Sequence, residues 1–277
     1  MPNSDSIQVE LKLLEELAPM VTAKQEIAVS RIQEPQKNVL ASRQFFERLS
    51  SVFGQVRDAY QGEVTTLEKS RRGNAVVLFS AEQYLTGPIT SATFRYFIEY
   101  LELHPSDPIV IGSVGKQRFI SELPGADFNY IELPKGWQKD EQALAPLVQT
   151  LLRYKSITFV FGQYANLVSQ RPTHVTIGDV LAKKKSTASS EQFVFEPSLE
   201  TIVSLFDRNL VALLFKQAAD ENTLAELGSQ ITAMELADNA IRSRQYKLKR
   251  ISRESTRQMR NKQQRERLSG LRLWSKR

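Results

Sequence analysis

The sequence contains no cysteine and only two histidines in 277 residues. Disulfides, thiolate zinc sites and thiol redox switches are therefore excluded, and the isolated His104 and His174 give no basis for a metal site. No apolar run approaches the ~20 residues that a membrane-spanning helix needs, so direct membrane insertion is not expected. The N-terminus, MPNSDSIQVE, lacks the basic-then-apolar layout of a signal peptide. These absences predict a bacterial-type cytoplasmic location.

Catalytic and cofactor-binding motifs are missing as well. The chain offers no Ser/His/Asp or Cys/His constellation, and its carboxylates show no spacing typical of metal ligands. The segment GSVGKQR (112–118) is superficially similar to a phosphate loop, but its glycines are too close together. Gln117 also stands where a serine or threonine would bind magnesium. The pattern predicts a non-catalytic chain without a cofactor.

The positive charge is concentrated at the C-terminal end. Residues 241–277 contain fourteen Lys and Arg against two Glu, a local charge of +12 in a chain whose total is +6. The first 240 residues therefore carry −6, and only the C-terminal end is expected to meet a polyanion or an acidic protein surface.

Both ends of the chain show helical spacing. Residues 5–61 have no glycine before Gly54, and their apolar positions recur at helical steps: Leu14, Leu17, Val21, Ile27, Ile32, Val39, Leu40, Phe46, Leu49, Phe53 and Val56. Bends or breaks are expected near Pro19 and Pro35, since an interior proline costs a helix about 3 kcal/mol. After Pro197 the chain has no proline, and residues 207–274 as one helix would extend ~100 Å at ~1.5 Å per residue.

Between these helices the chain alternates short apolar runs with amphipathic segments. Strands are predicted at 75–80, 108–113 and 156–164, helices at 91–103 and 143–154, and further strands on either side of the charged loop 183–192. The alternation predicts a small, Rossmann-like α/β domain with a largely parallel sheet. Three regions follow: an N-terminal helix (1–62), the α/β domain (70–197) and a long C-terminal helix (198–277). A helix of that length needs a partner, so an antiparallel two-helix coiled coil is predicted.

The basic end itself permits three interpretations. It could be a solvated helix face, a nucleic-acid-binding arm, or a shaft that slides inside a protein channel. Regularly spaced cations suit phosphate contacts, although Tyr246 and Trp274 are its only aromatic residues. Composition by itself does not choose among the three.

Several motifs, in order, resemble the gamma subunit of rotary F-type ATP synthases. The most specific is ITAMELADNA (231–240), similar to the family's Met-x-Ala-Met-x-x-Ala-x-Asp-Asn-Ala signature. QYANLVSQRPT (163–173), FEPS (195–198), the Arg257-Gln258 pair and LSG (268–270) resemble further family motifs, over roughly residues 40–277. The resemblance implies a central rotor stalk that couples proton flow to ATP synthesis or hydrolysis.

The resemblance also implies partners and contact residues. The partners would be the alpha and beta subunits of the catalytic ring, the epsilon subunit and the membrane c-ring, at the cytoplasmic face of the bacterial membrane. No nucleic acid is expected, although a nucleic-acid-binding adaptor and a gamma-like subunit of a specialised ATPase are alternatives. The partner contacts would include Met234, Asp238, Asn239, Arg257 and Gln258.

Two features depart from the family pattern. The N-terminal Lys-Ile-Thr-x-Ala-Met stretch is absent, and the Arg-Gln pair lies about two residues further from Asp238-Asn239 than is usual. Along an α-helix a two-residue shift rotates the pair by about 200° unless a bulge absorbs it.

Overall fold

The computed structural model describes residues 4–45, 72–134, 136–137, 141–177 and 199–274. The chain divides into two compact units, one made of residues 1–27 and 233–277 and the other of residues 28–232. The predicted region boundaries near 62, 70 and 197 lie outside the described residues, as do the charged loop and the strand after it, and all of these stay predictions.

The N-terminal region forms two consecutive helices, α1 (Ser4–Arg31) and α2 (33–45), separated by a bend at Ile32. The expected break near Pro35 is confirmed in place, since Pro35 lies in the first turn of α2, where a missing N–H is tolerated. The helix does not break at Pro19, because α1 continues through this residue; a bend there stays a prediction. Pro19 is exposed, so water can reach the carbonyl that the proline leaves without a helical donor.

The α/β domain contains a five-stranded sheet in the described residues, with order β3-β2-β1-β4-β5. Its strands are β1 (Arg72–Phe79), β2 (Asp107–Ile111), β3 (Asn129–Ile131), β4 (Tyr154–Tyr164) and β5 (Gln170–Thr176). All neighbours are parallel except β4 and β5, which form an antiparallel hairpin. The predicted alternating α/β fold is confirmed.

Three helices accompany these strands: α3 (Pro88–Leu103), α4 (Ser113–Glu122) and α5 (Ala145–Leu151), the last preceded by a short 3-10 turn (Glu141–Leu144). The sequence patterns missed α4, which follows Gly112 and contains Gly115 in its first turn, and β3, which is only three residues long.

The C-terminal helix, α6 (Leu199–Trp274), contains 76 residues, which corresponds to about 114 Å at 1.5 Å per residue. Its first part closes the α/β core. Because strand side chains alternate between faces, Phe79 and Phe159 point to the face on which Phe215 of α6 packs, with ring centroids 5.0 and 6.1 Å away. The opposite face holds Val76, Leu78, Phe94, Phe97 and Phe119. The long helix is therefore anchored in the core of the α/β domain.

Candidate partner-contact surface of the two-helix coil

The unit made of residues 1–27 and 233–277 is a coil of α1 and α6. The seam consists of buried and half-buried positions that alternate at four- and three-residue steps, the heptad spacing of a left-handed coiled coil. On α1 these positions are Ile7, Leu11, Leu14, Ala18, Val21 and Gln25, and on α6 they are Met234, Asp238, Ile241, Gln245, Leu248, Ser252 and Ser255. The seam of α6 thus becomes small and polar toward its C-terminal end, although Leu248 is buried.

Apolar residues on α1 are not confined to this seam. Leu17 and Ile27, two of the apolar positions whose spacing predicted the helix, have exposed side chains. Val9, Leu13 and Met20 are exposed in the same way. Apolar spacing revealed the helix, but it did not distinguish the seam from the outer face.

Ion pairs join the two helices at the rim of the seam. Arg244 donates two hydrogen bonds to Glu10, at 2.6 and 3.0 Å, and Lys249 lies 3.7 Å from Glu15. The hydrogen bond from Arg244 holds the pKa of Glu10 below its ordinary value. These pairs are solvent-exposed, so they specify the alignment of the helices more than they stabilise them.

Two of the five predicted contact residues lie on the seam and three lie outside it. Met234 is buried, and Asp238 is half-buried and pairs with Arg242 at 2.7 Å on the next turn. Asn239, Arg257 and Gln258 are exposed. The signature therefore contributes Met234 and Asp238 to the coil itself, and only the other three present side chains outward.

The helix is uninterrupted between these exposed residues, so no bulge corrects the altered spacing. Asn239 and Arg257 are eighteen residues apart, which is about five turns at 3.6 residues per turn. They consequently lie on the same side of α6, whereas Gln258 lies about 100° further round.

Beyond the seam, residues 256–268 of α6 are all exposed; we call this segment the basic end. It carries Arg257, Arg260, Lys262, Arg265 and Arg267, with Glu266 placed four residues after Lys262 at 4.0 Å. Met259 and Leu268 are its only large apolar side chains, so its surface is mainly polar and positive. Such a surface suits contacts with an acidic partner that must not bind tightly.

In the other unit, the β4–β5 hairpin packs on α6, and the motif QYANLVSQRPT forms its turn. The Asn166 side chain accepts the N–H groups of Val168 and Ser169, and the Gln170 amide donates to the carbonyl oxygens of Asn166 and Leu167. Thr232 of α6 donates to the Leu167 carbonyl at 3.0 Å. These polar residues hold the turn against the long helix.

Close backbone approach explains two glycines at this junction. A Cβ on Gly228 of α6 would lie 3.1 Å from the Tyr164 ring. A Cβ on Gly162 of β4 would lie 2.9 Å from Ile89. Gly162 lies beyond the last residue of β4 that pairs with β1. Its N–H group donates instead to the Asn222 side chain of α6, at 3.0 Å.

A bidentate ion pair fixes α2 to α6. Arg43 donates from Nε and Nη2 to the two carboxylate oxygens of Glu221, each at 2.8 Å, and Nη2 also reaches the Tyr164 carbonyl oxygen at 3.3 Å. The hydrogen bonds to Glu221 raise the pKa of Arg43. Glu221 is buried, so this pair joins α2, β4 and α6 at a site where, within the described residues, Arg43 supplies the counter-charge of the carboxylate.

The segment similar to a phosphate loop has a different structure. Its helix, α4, begins at Ser113, and the Glu82 carboxylate accepts the Ser113 N–H at 3.3 Å while the Glu82 carbonyl accepts the Ser113 hydroxyl at 2.7 Å. A carboxylate from the chain itself therefore occupies the helix N-terminus where a phosphate would bind.

The family of this chain is shown by a match to a family model. A family model described as ATP synthase matches residues 3–261. The chain belongs to the ATP synthase gamma family. The resemblance inferred from the sequence motifs is confirmed.

Similar proteins in the ATP synthase gamma family span most of the chain at low identity. An ATP synthase gamma chain of Ruthia magnifica is 21% identical over 256 residues, covering 87% of this chain and 88% of that protein. One of Roseiflexus castenholzii is 22% identical over 260 residues, with the same coverage.

Solved structures of ATP synthases share the fold. The rotor of the Euglena gracilis mitochondrial ATP synthase matches with a TM-score of 0.65 at 12% identity, over 93% of this chain and 99% of that chain. The central stalk and c-ring structure of the Tetrahymena thermophila mitochondrial ATP synthase contains a chain that matches with a TM-score of 0.58 at 17% identity, over 79% of this chain and 99% of that one. Among the described residues, no helix is long and apolar enough to cross a membrane.

Proposed function

We propose that the chain is the central rotor stalk of a proton-translocating F-type ATP synthase, peripheral to the cytoplasmic face of a bacterial membrane. It is a non-catalytic subunit that couples ion flow to ATP synthesis or hydrolysis. Its partners are the alpha and beta subunits of the catalytic ring, the epsilon subunit and the c-ring. Membership of the gamma family, together with the names of the similar proteins, supports this assignment.

The observation that carries the proposal is the change in character along α6. The first part of the helix packs in the α/β core, and the next part is one of the two helices of the coil. The helix then continues as the basic end, whose side chains are mostly polar and charged. A rotor needs a stiff element held firmly at one part and in weak contact elsewhere, and exposed ion pairs are individually weak. Asn239 of the signature and the separate Arg257-Gln258 pair are the exposed residues that we assign to partner contacts.

The first experiment is purification of the native protein with its associated subunits. Alpha, beta, epsilon and c-type subunits should copurify in defined stoichiometry. Recovery with nucleic acid and without these subunits would contradict the proposal.

A matched pair of variants then tests the basic end. Arg257→Gln with Arg260→Gln removes two exposed cations there, and Arg95→Gln with Arg153→Gln removes two exposed cations from the α/β domain. In the reconstituted complex we expect ATP-driven proton pumping to fall partially for the first pair and to stay near wild type for the second, because the contacts are distributed. Equal pumping by both variants would show that the basic end is not in the transmission path.

A further inference from the structure

Four carboxylates line a cavity of about 550 Å³ in the unit of residues 28–232. Glu34 comes from α2, Glu82 from the loop after β1, and Asp220 and Glu226 from α6. Among the described residues that line the cavity, Arg31 is the only one with a cationic side chain, and it is exposed. The cavity therefore has an excess of negative charge.

Asp220 is a buried carboxylate whose hydrogen bonds are incomplete within the described residues, although Lys216 lies close enough to offset part of its charge. The residue is 6% exposed, and its buried Oδ2 atom has no hydrogen-bond partner in the part of the chain that the structure describes. An unpaired buried carboxylate oxygen costs folding free energy. Other atoms of Asp220 contribute to the cavity wall, so a donor held in the cavity would meet a carboxylate with an unused acceptor.

The energetics of ionisation point the same way. Burial raises the pKa of Asp220 to about 6, with nearby Lys216 opposing the shift and Glu34 adding to it. Burial also raises the pKa of Glu226 to about 8, against a hydrogen bond from Asn222 and with a contribution from Glu82. A cation in the cavity would lower both pKa values and so bind more tightly to the ionised form.

The shape and composition of the cavity select among cations. In the described residues no three carboxylates or histidines converge closely enough to hold a metal ion. The wall also contains Pro35 and Leu227. Apolar contacts beside carboxylates suit a long side chain with an aliphatic stem and a charged head.

We propose that this cavity is a socket for a lysine or arginine side chain of another subunit of the complex. The donor groups of that side chain would pair with the carboxylates of Asp220 and Glu226, which both line the cavity. The socket rests on the proposed function only in that the partner belongs to the same complex. It assigns a role to carboxylates that lie away from the basic end.

The test compares two double variants with equal charge change. The socket variant is Asp220→Asn with Glu226→Gln, and the control is Glu102→Gln with Glu122→Gln, both exposed and outside the cavity. Affinity of the full chain for its purified partner subunits is measured for each. We expect the socket variant to bind at least about tenfold more weakly, the scale for losing a buried charge pair, and the control to bind like wild type. Equal affinities would overturn the proposal.

A second measurement uses the wild-type protein and is independent of how the variants fold. Carbodiimide with glycine amide labels accessible carboxylates, and peptide masses report the labelling of Glu34 and Glu226, with Glu102 as the internal reference. Assembly should protect the first two and leave Glu102 labelled. Unchanged labelling in the complex would overturn the proposal. A second result would also overturn the proposal: spermidine alone protects Glu34 and Glu226 from labelling, and the socket variant still assembles normally. The cavity would then bind a free polyamine and not a side chain of another subunit. Assembly of the wild-type chain itself reports on the proposed function separately.

Discussion

The ion pair between Arg43 and Glu221 leads to a quantitative prediction about the junction of α2 with α6. Substitution Arg43→Met removes two hydrogen bonds at 2.8 Å and one at 3.3 Å. It also leaves the Glu221 carboxylate, which is 2% exposed, without its counter-charge. The expected result is a marked loss in the free energy of unfolding.

The magnitude follows from the burial of the two partners. Removing one partner of a fully buried ion pair destabilises a protein by about 3–5 kcal/mol. Because the Arg43 side chain is 38% exposed, solvent screens part of the interaction, and we expect a loss of about 2–3 kcal/mol. Glu221→Gln should cost less, since Arg43 can still reach water.

Urea unfolding followed by tryptophan fluorescence measures these values. Trp137 is buried in the α/β core, 5.9 Å from the Phe215 ring, and a Trp274→Phe background leaves it as the sole reporter. The double variant Arg43→Met with Glu221→Gln should recover part of the loss, because it buries no unpaired charge. A loss below about 1 kcal/mol for Arg43→Met, or a double variant no better than that single one, would refute the reasoning.

Three further predictions concern the stability of the folded chain; the first two use the urea assay and the third uses thermal unfolding. Gly162→Ala should destabilise by about 1–3 kcal/mol through overpacking against Ile89. At Gly73 no atom of the described residues lies within 4 Å of the added carbon, so Gly73→Ala should have little effect. Similar losses for the two variants would contradict the packing geometry. Because the pKa of Asp220 is raised to about 6, the folded state retains the proton longer than the unfolded state, so wild-type stability should fall as pH rises from about 4 to 6. Asp220→Asn should flatten that decline and be about 2 kcal/mol more stable than wild type at pH 8; parallel curves would show that the carboxyl is not buried. Pro19→Ala should stabilise the coil by about 1–3 kcal/mol, since it restores a helical N–H donor in an exposed turn. Thermal unfolding followed by circular dichroism measures the change. An unchanged midpoint would show that the proline does not destabilise the helix.

The sequence by itself determined the elements that depend on local chemistry. The long C-terminal helix follows from a segment without proline, and the alternation of strands with helices follows from short β-branched runs between amphipathic segments. The segregation of charge and the motif order were equally visible, because they are properties of the chain and need no contacts.

Tertiary structure decided which side chains those elements bury. Leu17 and Ser252 show what residue type alone does not predict. Leu17 is apolar and exposed, whereas Ser252 is polar and lies on the seam. Whether a side chain is buried in a coiled coil depends on where the partner helix lies as well as on residue type. Arg43 and Glu221 are 178 residues apart, and their pairing exists only once α2 and α6 meet. The same holds for the acidic cavity, whose carboxylates come from three elements, so no local pattern could have revealed it.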